Sequence, residues 1–119
     1  MVFERACALT EVPNDAALGV TIGAYEVAIA RDGDEVFAVE DLCSHAAVAL
    51  SLGEVTSDLQ GCTVECWLHG SRFDLRTGKP TGLPATEPIA TFPIEVRGQQ
   101  GQQDVYVDVT QTLNGVIPG

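Results

Sequence analysis

The chain has 119 residues, 45% of them hydrophobic, with a mean hydropathy of +0.15. That suits one compact domain spanning residues 1–119 around one core, with too little length for a second. Against 6 Lys plus Arg stand 17 Asp plus Glu, giving a net charge of -11 and a pI near 4.2, so nucleic acid and anionic membranes would repel it.

Taken in chain order, Met1-Val2-Phe3-Glu4-Arg5 opens directly as a strand, without a basic-then-apolar leader, and Cys7 falls in that strand as a core residue. No apolar run approaches the length that spans a bilayer, and the expectation is a cytoplasmic protein with no membrane partner. After the turn signal Pro13-Asn14-Asp15, residues Ala17 to Ile22 alternate as a strand. Tyr25 to Arg31 then meets Glu35 to Val39 across Asp32-Gly33-Asp34, which reads as a hairpin. Gly53 to Thr56 and Cys62 to Cys66 form two further short strands separated by Ser57 to Gly61. Ile89 to Val96 and Asp104 to Val109 form a last hairpin joined by Arg97 to Gln103. No stretch carries a sustained helical stripe, and Thr112 to Gly119, with its Gly and Pro, is expected to fray. The acidic residues, among them Glu26, Asp34, Glu40, Asp41 and Glu65, are spread along these elements, the pattern of an evenly solvated surface.

Two loops carry the chemistry. Cys43-Ser44-His45 follows Val39-Glu40-Asp41-Leu42, and Cys66-Trp67-Leu68-His69 precedes Ser71-Arg72-Phe73; they hold the chain's only two histidines. A thiolate and an imidazole one or two residues apart on a tight loop can reach different iron atoms of one compact cluster, and two such loops make a clamp. Two Cys and two His are the ligands of a 2Fe-2S centre in which imidazoles replace thiolates on one iron, raising the potential above that of an all-Cys cluster. Residues 42–86 would form a cluster-bearing insertion in an antiparallel scaffold. Lys79 to Thr86, stiffened by Pro80 and Pro84, could cover the cluster's open flank.

The run Cys43-x-His45, then Cys66-x-x-His69-Gly70-Ser71-x-Phe73-Asp74-Leu75-x-Thr77-Gly78, followed by Pro84, resembles the Rieske ferredoxin family over residues 36–109. The resemblance implies an all-β fold of stacked antiparallel sheets with an inserted cluster-binding subdomain and one Rieske-type 2Fe-2S cluster. Cys43 and Cys66 would bind the buried iron, and His45 and His69 the outer one. It also implies an electron carrier, not an enzyme in its own right, that passes single electrons from a flavin-containing reductase to a non-haem iron oxygenase. Glu65 to Gly78 is similar as well to small Rieske proteins encoded beside iron-sulfur assembly genes, whose role would be a redox accessory or sensor. A third reading, an enzyme subunit resembling the small subunit of nitrite reductase, is weakened because such subunits often lack the ligands, whereas all four are present in this chain. With both histidines committed to iron, no general base of the usual kind is left.

Twenty residues separate His45 from Cys66, more than the family's common spacing. The extra stretch, Thr56 to Gly61, should lengthen a hairpin turn without moving the ligands, since loop length is cheap. Ser71 matches a serine that hydrogen-bonds a cluster sulfur in high-potential relatives, Phe73 stands where those have Tyr, and Ala46 to Ala49 offers no Cys for their extra disulfide. Missing hydrogen bonds and an acidic surface both lower the potential. Zinc also takes Cys2His2 sets, but the order Cys-His-Cys-His departs from the usual finger, and Gly-Ser-x-Phe-Asp has no part in zinc binding. Cys62, four residues before Cys66, reads as a packed thiol like Cys7, and both suit a reducing compartment. Trp67, Leu68 and Pro84 are the docking candidates; Arg72 and Arg76 read as solvated charges.

Overall fold

The computed structural model describes residues 2–33, 35–43, 48–58, 61–68, 70–83 and 85–118. Among them, the strands in chain order are β1 (Glu4–Ala8), β2 (Leu18–Ile22), β3 (Tyr25–Asp32), β4 (Glu35–Glu40), β5 (Val55–Asp58), β6 (Gly61–Glu65), β7 (Arg72–Asp74), β8 (Thr91–Phe92), β9 (Ile94–Gln99) and β10 (Gln102–Val107). Helical structure among the described residues is limited to 3-10 turns at Leu9–Glu11 and Leu50–Leu52. No helix of the described residues is long and apolar enough to cross a membrane.

All strand pairs are antiparallel, in three sheets of order β1-β10-β9, β2-β3-β4-β8 and β5-β6-β7. The fold is therefore all-β, as the alternation of the sequence implies. Its organising feature is the run Val27-Ala28-Ile29-Ala30 in β3, buried at all four positions. Neighbouring side chains on a strand point to opposite faces. Ala28 and Ala30, with Phe37 and Val39 of β4, join a cluster that contains Cys43, Leu50, Val64, Cys66, Phe73 and Ile89. Val27 and Ile29, with Ala38, join a second cluster of Cys7, Ile22, Phe92, Val105 and Val107. Composition suggests one core; the middle sheet divides it into two, one on each face. The first lies under β5-β6-β7, which intervenes in the chain between β4 and β8 as the expected insertion.

The β3–β4 hairpin forms where the sequence places it and runs one pair further, to Asp32 opposite Glu35. Gly33, at φ 62, makes the turn, and the Arg31 guanidinium braces it with bonds of 3.1 and 3.0 Å to the Gly33 carbonyl. The other two hairpins are tighter than expected. Thr56 pairs with Thr63, Ser57 with Cys62 and Asp58 with Gly61, so most of the extra stretch lengthens the paired arms of the β5–β6 hairpin, not its turn. Likewise β9 and β10 pair out to Gln99 opposite Gln102. Glutamine and threonine look loop-like by polarity alone, but on an exposed hairpin they pair without burying anything.

The carboxyl-terminal segment does not fray. Asn114 donates its side-chain amide to the carbonyls of Thr77 at 2.9 Å and Ile89 at 2.8 Å, and accepts from the backbone N–H of Thr91 at 3.3 Å. Leu113 N–H adds a 2.8 Å bond to the Thr91 carbonyl. One amide side chain thus staples the segment to the turn that follows β7.

Candidate metal centre

Cys43 lies three residues beyond β4, and its backbone is fixed on both sides. Asp41 N–H donates to the Glu26 carbonyl at 3.0 Å, and Cys43 N–H donates to the Val48 carbonyl at 3.0 Å. Cys66 follows β6 directly. Its N–H donates to the Ser71 carbonyl at 2.6 Å, and Gly70 N–H donates back to the Cys66 carbonyl at 2.9 Å. Gly70, at φ 76, supplies the left-handed residue of this turn. Cys43 is 2% exposed and Cys66 0%, and both belong to the same apolar cluster. Two thiols from loops far apart in sequence thus converge on one buried region.

Ser71 and Phe73 join them there, 1% and 0% exposed. The Ser71 hydroxyl oxygen accepts the Ala85 N–H at 3.1 Å. The third loop is laced to β7: Pro80 bridges Phe73, and Thr81 N–H donates to the Arg72 carbonyl at 2.8 Å. It therefore packs beside the second cysteine loop. Trp67 and Leu68 are 52% and 44% exposed at the tip of that loop, and Leu83 is 81% exposed on the third. His45, His69 and Pro84 lie outside the described residues.

Cys62 is buried on β6 and bonded to Ser57, and burial pushes its thiol pKa up. Cys62, Val64 and Cys66 all face inward, but four residues along a strand is about 13 Å, too far for Cys62 and Cys66 to share one iron. Cys7 sits in the opposite core at 3% exposure, and burial, aided by Glu11, raises its pKa to about 11. Arg72 and Arg76, read as solvated charges, are exposed but paired within the chain. Arg72 meets Glu65 at 3.6 Å, while Arg76 pairs with Glu35 and stacks 5.2 Å over Phe37.

Asp41 is the residue whose role the sequence hides. It reads as one more surface acid, yet it is 9% exposed, with both carboxylate oxygens on Ser51. Only the Asp at the end of a buried strand, ahead of a Cys loop, hints at it.

The donor set fits a 2Fe-2S cluster. Burying a bare thiolate is costly, so two buried cysteines in one core would bind as thiolates only with a shared cation centre to compensate them. The Ser71 hydroxyl, whose oxygen accepts the Ala85 N–H, has a proton that it could offer to a cluster sulfur. Cys43 and Cys66 would hold the cluster together with His45 and His69, and when bound it supplies one-electron redox chemistry.

The chain matches known proteins over most of its length. Residues 3–93 match the family described as the Rieske [2Fe-2S] domain. The biphenyl dioxygenase ferredoxin subunit of Pseudomonas sp. (strain KKS102) is 40% identical over 111 residues, covering 93% of this chain and 95% of that one. Among solved structures, the ferredoxin of carbazole 1,9a-dioxygenase from Nocardioides aromaticivorans IC177 superposes with a TM-score of 0.79 at 33% identity, covering 90% of this chain and 97% of that one. A complex of reduced oxygenase and oxidized ferredoxin in carbazole 1,9a-dioxygenase contains a chain with a TM-score of 0.72 at 34% identity, covering 89% of this chain and 92% of its own. Two buried cysteines in one apolar cluster, three antiparallel sheets and these likenesses agree, and the chain belongs to the Rieske [2Fe-2S] domain family.

Proposed function

We propose that this protein is the electron-carrying ferredoxin component of a multicomponent non-haem iron oxygenase system, working in the cytoplasm between a flavin-containing reductase and the oxygenase. The observation that carries the reading is the convergence of Cys43 and Cys66, both buried, from two loops whose neighbouring residues Trp67, Leu68 and Leu83 stay exposed. A buried thiolate pair beside an apolar rim suits a group that must be shielded from water and yet approached by a partner. Relatives described as dioxygenase ferredoxin subunits, and a ferredoxin of this fold in complex with its oxygenase, support the same assignment.

In this reading Cys43 and Cys66 bind the inner iron, and His45 and His69 bind the outer one nearer solvent. Ser71 donates a proton to a sulfur and so favours the reduced form. Phe73 fills the core beneath the thiols and donates nothing. Trp67, Leu68 and Pro84 meet the partner, while the acidic body of the molecule supplies the long-range field.

Metal and sulfide analysis tests the assignment. Aerobically purified protein should be red-brown, with about two irons and two acid-labile sulfides per chain. Replacing Cys43, His45, Cys66 or His69 by Ala should abolish the visible spectrum, whereas Cys7→Ser and Cys62→Ser should retain it. Zinc without sulfide, or loss of the spectrum in Cys62→Ser, would overturn the ligand set.

A further inference from the structure

We propose that Asp41 and Ser51 form a latch that sets the position of the first cysteine loop. Asp41 stands just before that loop and Ser51 just after it. One carboxylate oxygen accepts the Ser51 backbone N–H at 2.6 Å and the other accepts the Ser51 hydroxyl at 2.6 Å. Both oxygens of a nearly buried acid are thereby committed to Ser51.

Each end of the latch is anchored. On one side the Asp41 N–H is held by Glu26 of β3. On the other, Ser51 belongs to the 3-10 turn Leu50–Leu52, whose Leu50 is fully buried beside Cys43 and Cys66. The turn ends at Gly53, where a Cβ would lie 1.7 Å from the Glu65 carbonyl, the residue directly before Cys66. The same short turn thus touches the exit of one cysteine loop and the entrance of the other. Gly19 of β2 roofs the latch, since a Cβ there would meet the Ser51 hydroxyl at 2.8 Å and the Asp41 carboxylate at 3.0 Å. Asp41 is therefore a positioning residue: its carboxylate holds Ser51, and it acts by fixing the span between Cys43 and Cys66.

The inference rests on Cys43 being a cluster ligand, and the test separates the two claims. Full-length wild type, Asp41→Ala, Asp41→Asn, Ser51→Ala and Gly19→Ala are compared by three readouts: the electron paramagnetic resonance g values of the reduced protein, the rate of bleaching in a chelator, and amide exchange over residues 42–50. Asp41→Ala should shift the g values, speed the exchange of the Cys43 N–H, and bleach more than about tenfold faster, since two charge-assisted bonds are lost. Ser51→Ala, which keeps the backbone bond, should fall between. Asp41→Asn retains an acceptor for the Ser51 N–H and should stay within about twofold of wild type. Gly19→Ala, whose new Cβ crowds the Ser51 hydroxyl and the carboxylate oxygen it bonds but spares the backbone bond, should behave as Ser51→Ala does, and it decides the matter if Asp41→Ala does not fold. Wild-type g values and bleaching in a folded variant that is merely less heat-stable would overturn the latch. If wild type itself lacks a Rieske signal, the cluster assignment fails, and amide exchange at Cys43 alone then supports the latch when faster in Asp41→Ala and overturns it when unchanged.

Discussion

The Ala85 backbone N–H donates to the buried Ser71 hydroxyl oxygen at 3.1 Å, so the third loop orients this hydroxyl beside the second cysteine loop. With its oxygen engaged as acceptor, that hydroxyl keeps a single proton to give. A proton given to sulfur favours the electron-rich reduced state. Ser71→Ala should therefore lower the reduction potential by about 40–60 mV, the one-electron equivalent of roughly 1–1.4 kcal/mol. It should also destabilise the fold by about 1–3 kcal/mol, because the Ala85 N–H loses its partner. Redox titration and thermal unfolding of the same sample check both halves; an unmoved potential would show that the proton goes elsewhere.

Phe73 offers the converse change. It is fully buried in the cluster that holds both cysteines, and its ring has no proton to donate. Phe73→Tyr should raise the potential by a similar amount if the new hydroxyl meets a thiolate sulfur. Wild type should sit in the lower half of the Rieske range of about -150 to +300 mV. A loss of stability without a rise in potential would mean that the hydroxyl is stranded.

Asn114 should prove structural despite its place near the chain end. Asn114→Ala removes the donor shared by the Thr77 and Ile89 carbonyls and the acceptor of the Thr91 N–H. A cost of about 1–3 kcal/mol is expected, read as a lowered unfolding midpoint. A midpoint equal to that of wild type would mean that water replaces the amide at no cost.

These cases mark what the sequence could and could not convey. Alternation from Leu18 to Ile22 and across the β3–β4 hairpin was legible because side-chain direction follows position on a strand. The two Cys/His loops stand out in the sequence because metal chemistry restricts residue type and spacing, and the structure brings Cys43 and Cys66 into one buried cluster. Asn114 and Asp41 were opaque, since their partners lie 37 residues away at Thr77 and 10 residues away at Ser51, and only the place of Asp41 at the end of a buried strand sets either apart from a solvated polar residue. The division of the core was hidden for a related reason: Val27 to Ala30 shows burial on both faces, but not which distant residues share each face.

Asp108 sets the expected acid response of the opposite core. It is fully buried and accepts bonds from the Thr110 hydroxyl and backbone, the Gln111 amide and the Val2 N–H. The Thr110 hydroxyl and then the Gln111 amide hold its pKa down, from 3.8 to about 2. A depressed folded-state pKa means that its stabilisation is complete above pH 3.8 and is lost as pH falls toward 2. Asp108→Asn should flatten this acid limb of the unfolding midpoint against pH. Identical limbs in the two proteins would assign acid sensitivity to other carboxylates.

The exposed tip and the acidic body should govern docking separately. A net charge of -11 gives a long-range field, whereas Trp67 at 52% and Leu68 at 44% exposure act only on contact. Of the few cations, Arg5, Arg72, Arg76 and Arg97 pair with acids of this chain, so a partner meets a surface of largely uncompensated negative charge. With a Debye length of about 8 Å at physiological salt, screening weakens the field and leaves apolar contact intact. The association rate with a basic-faced reductase or oxygenase should therefore fall steeply with ionic strength. Trp67→Ala should leave that slope unchanged while slowing electron transfer within the complex or hastening its dissociation. Stopped-flow reduction over a salt series resolves the two effects. A rate indifferent to salt would remove the charge from the docking account, and wild-type transfer in Trp67→Ala would move the contact away from this loop.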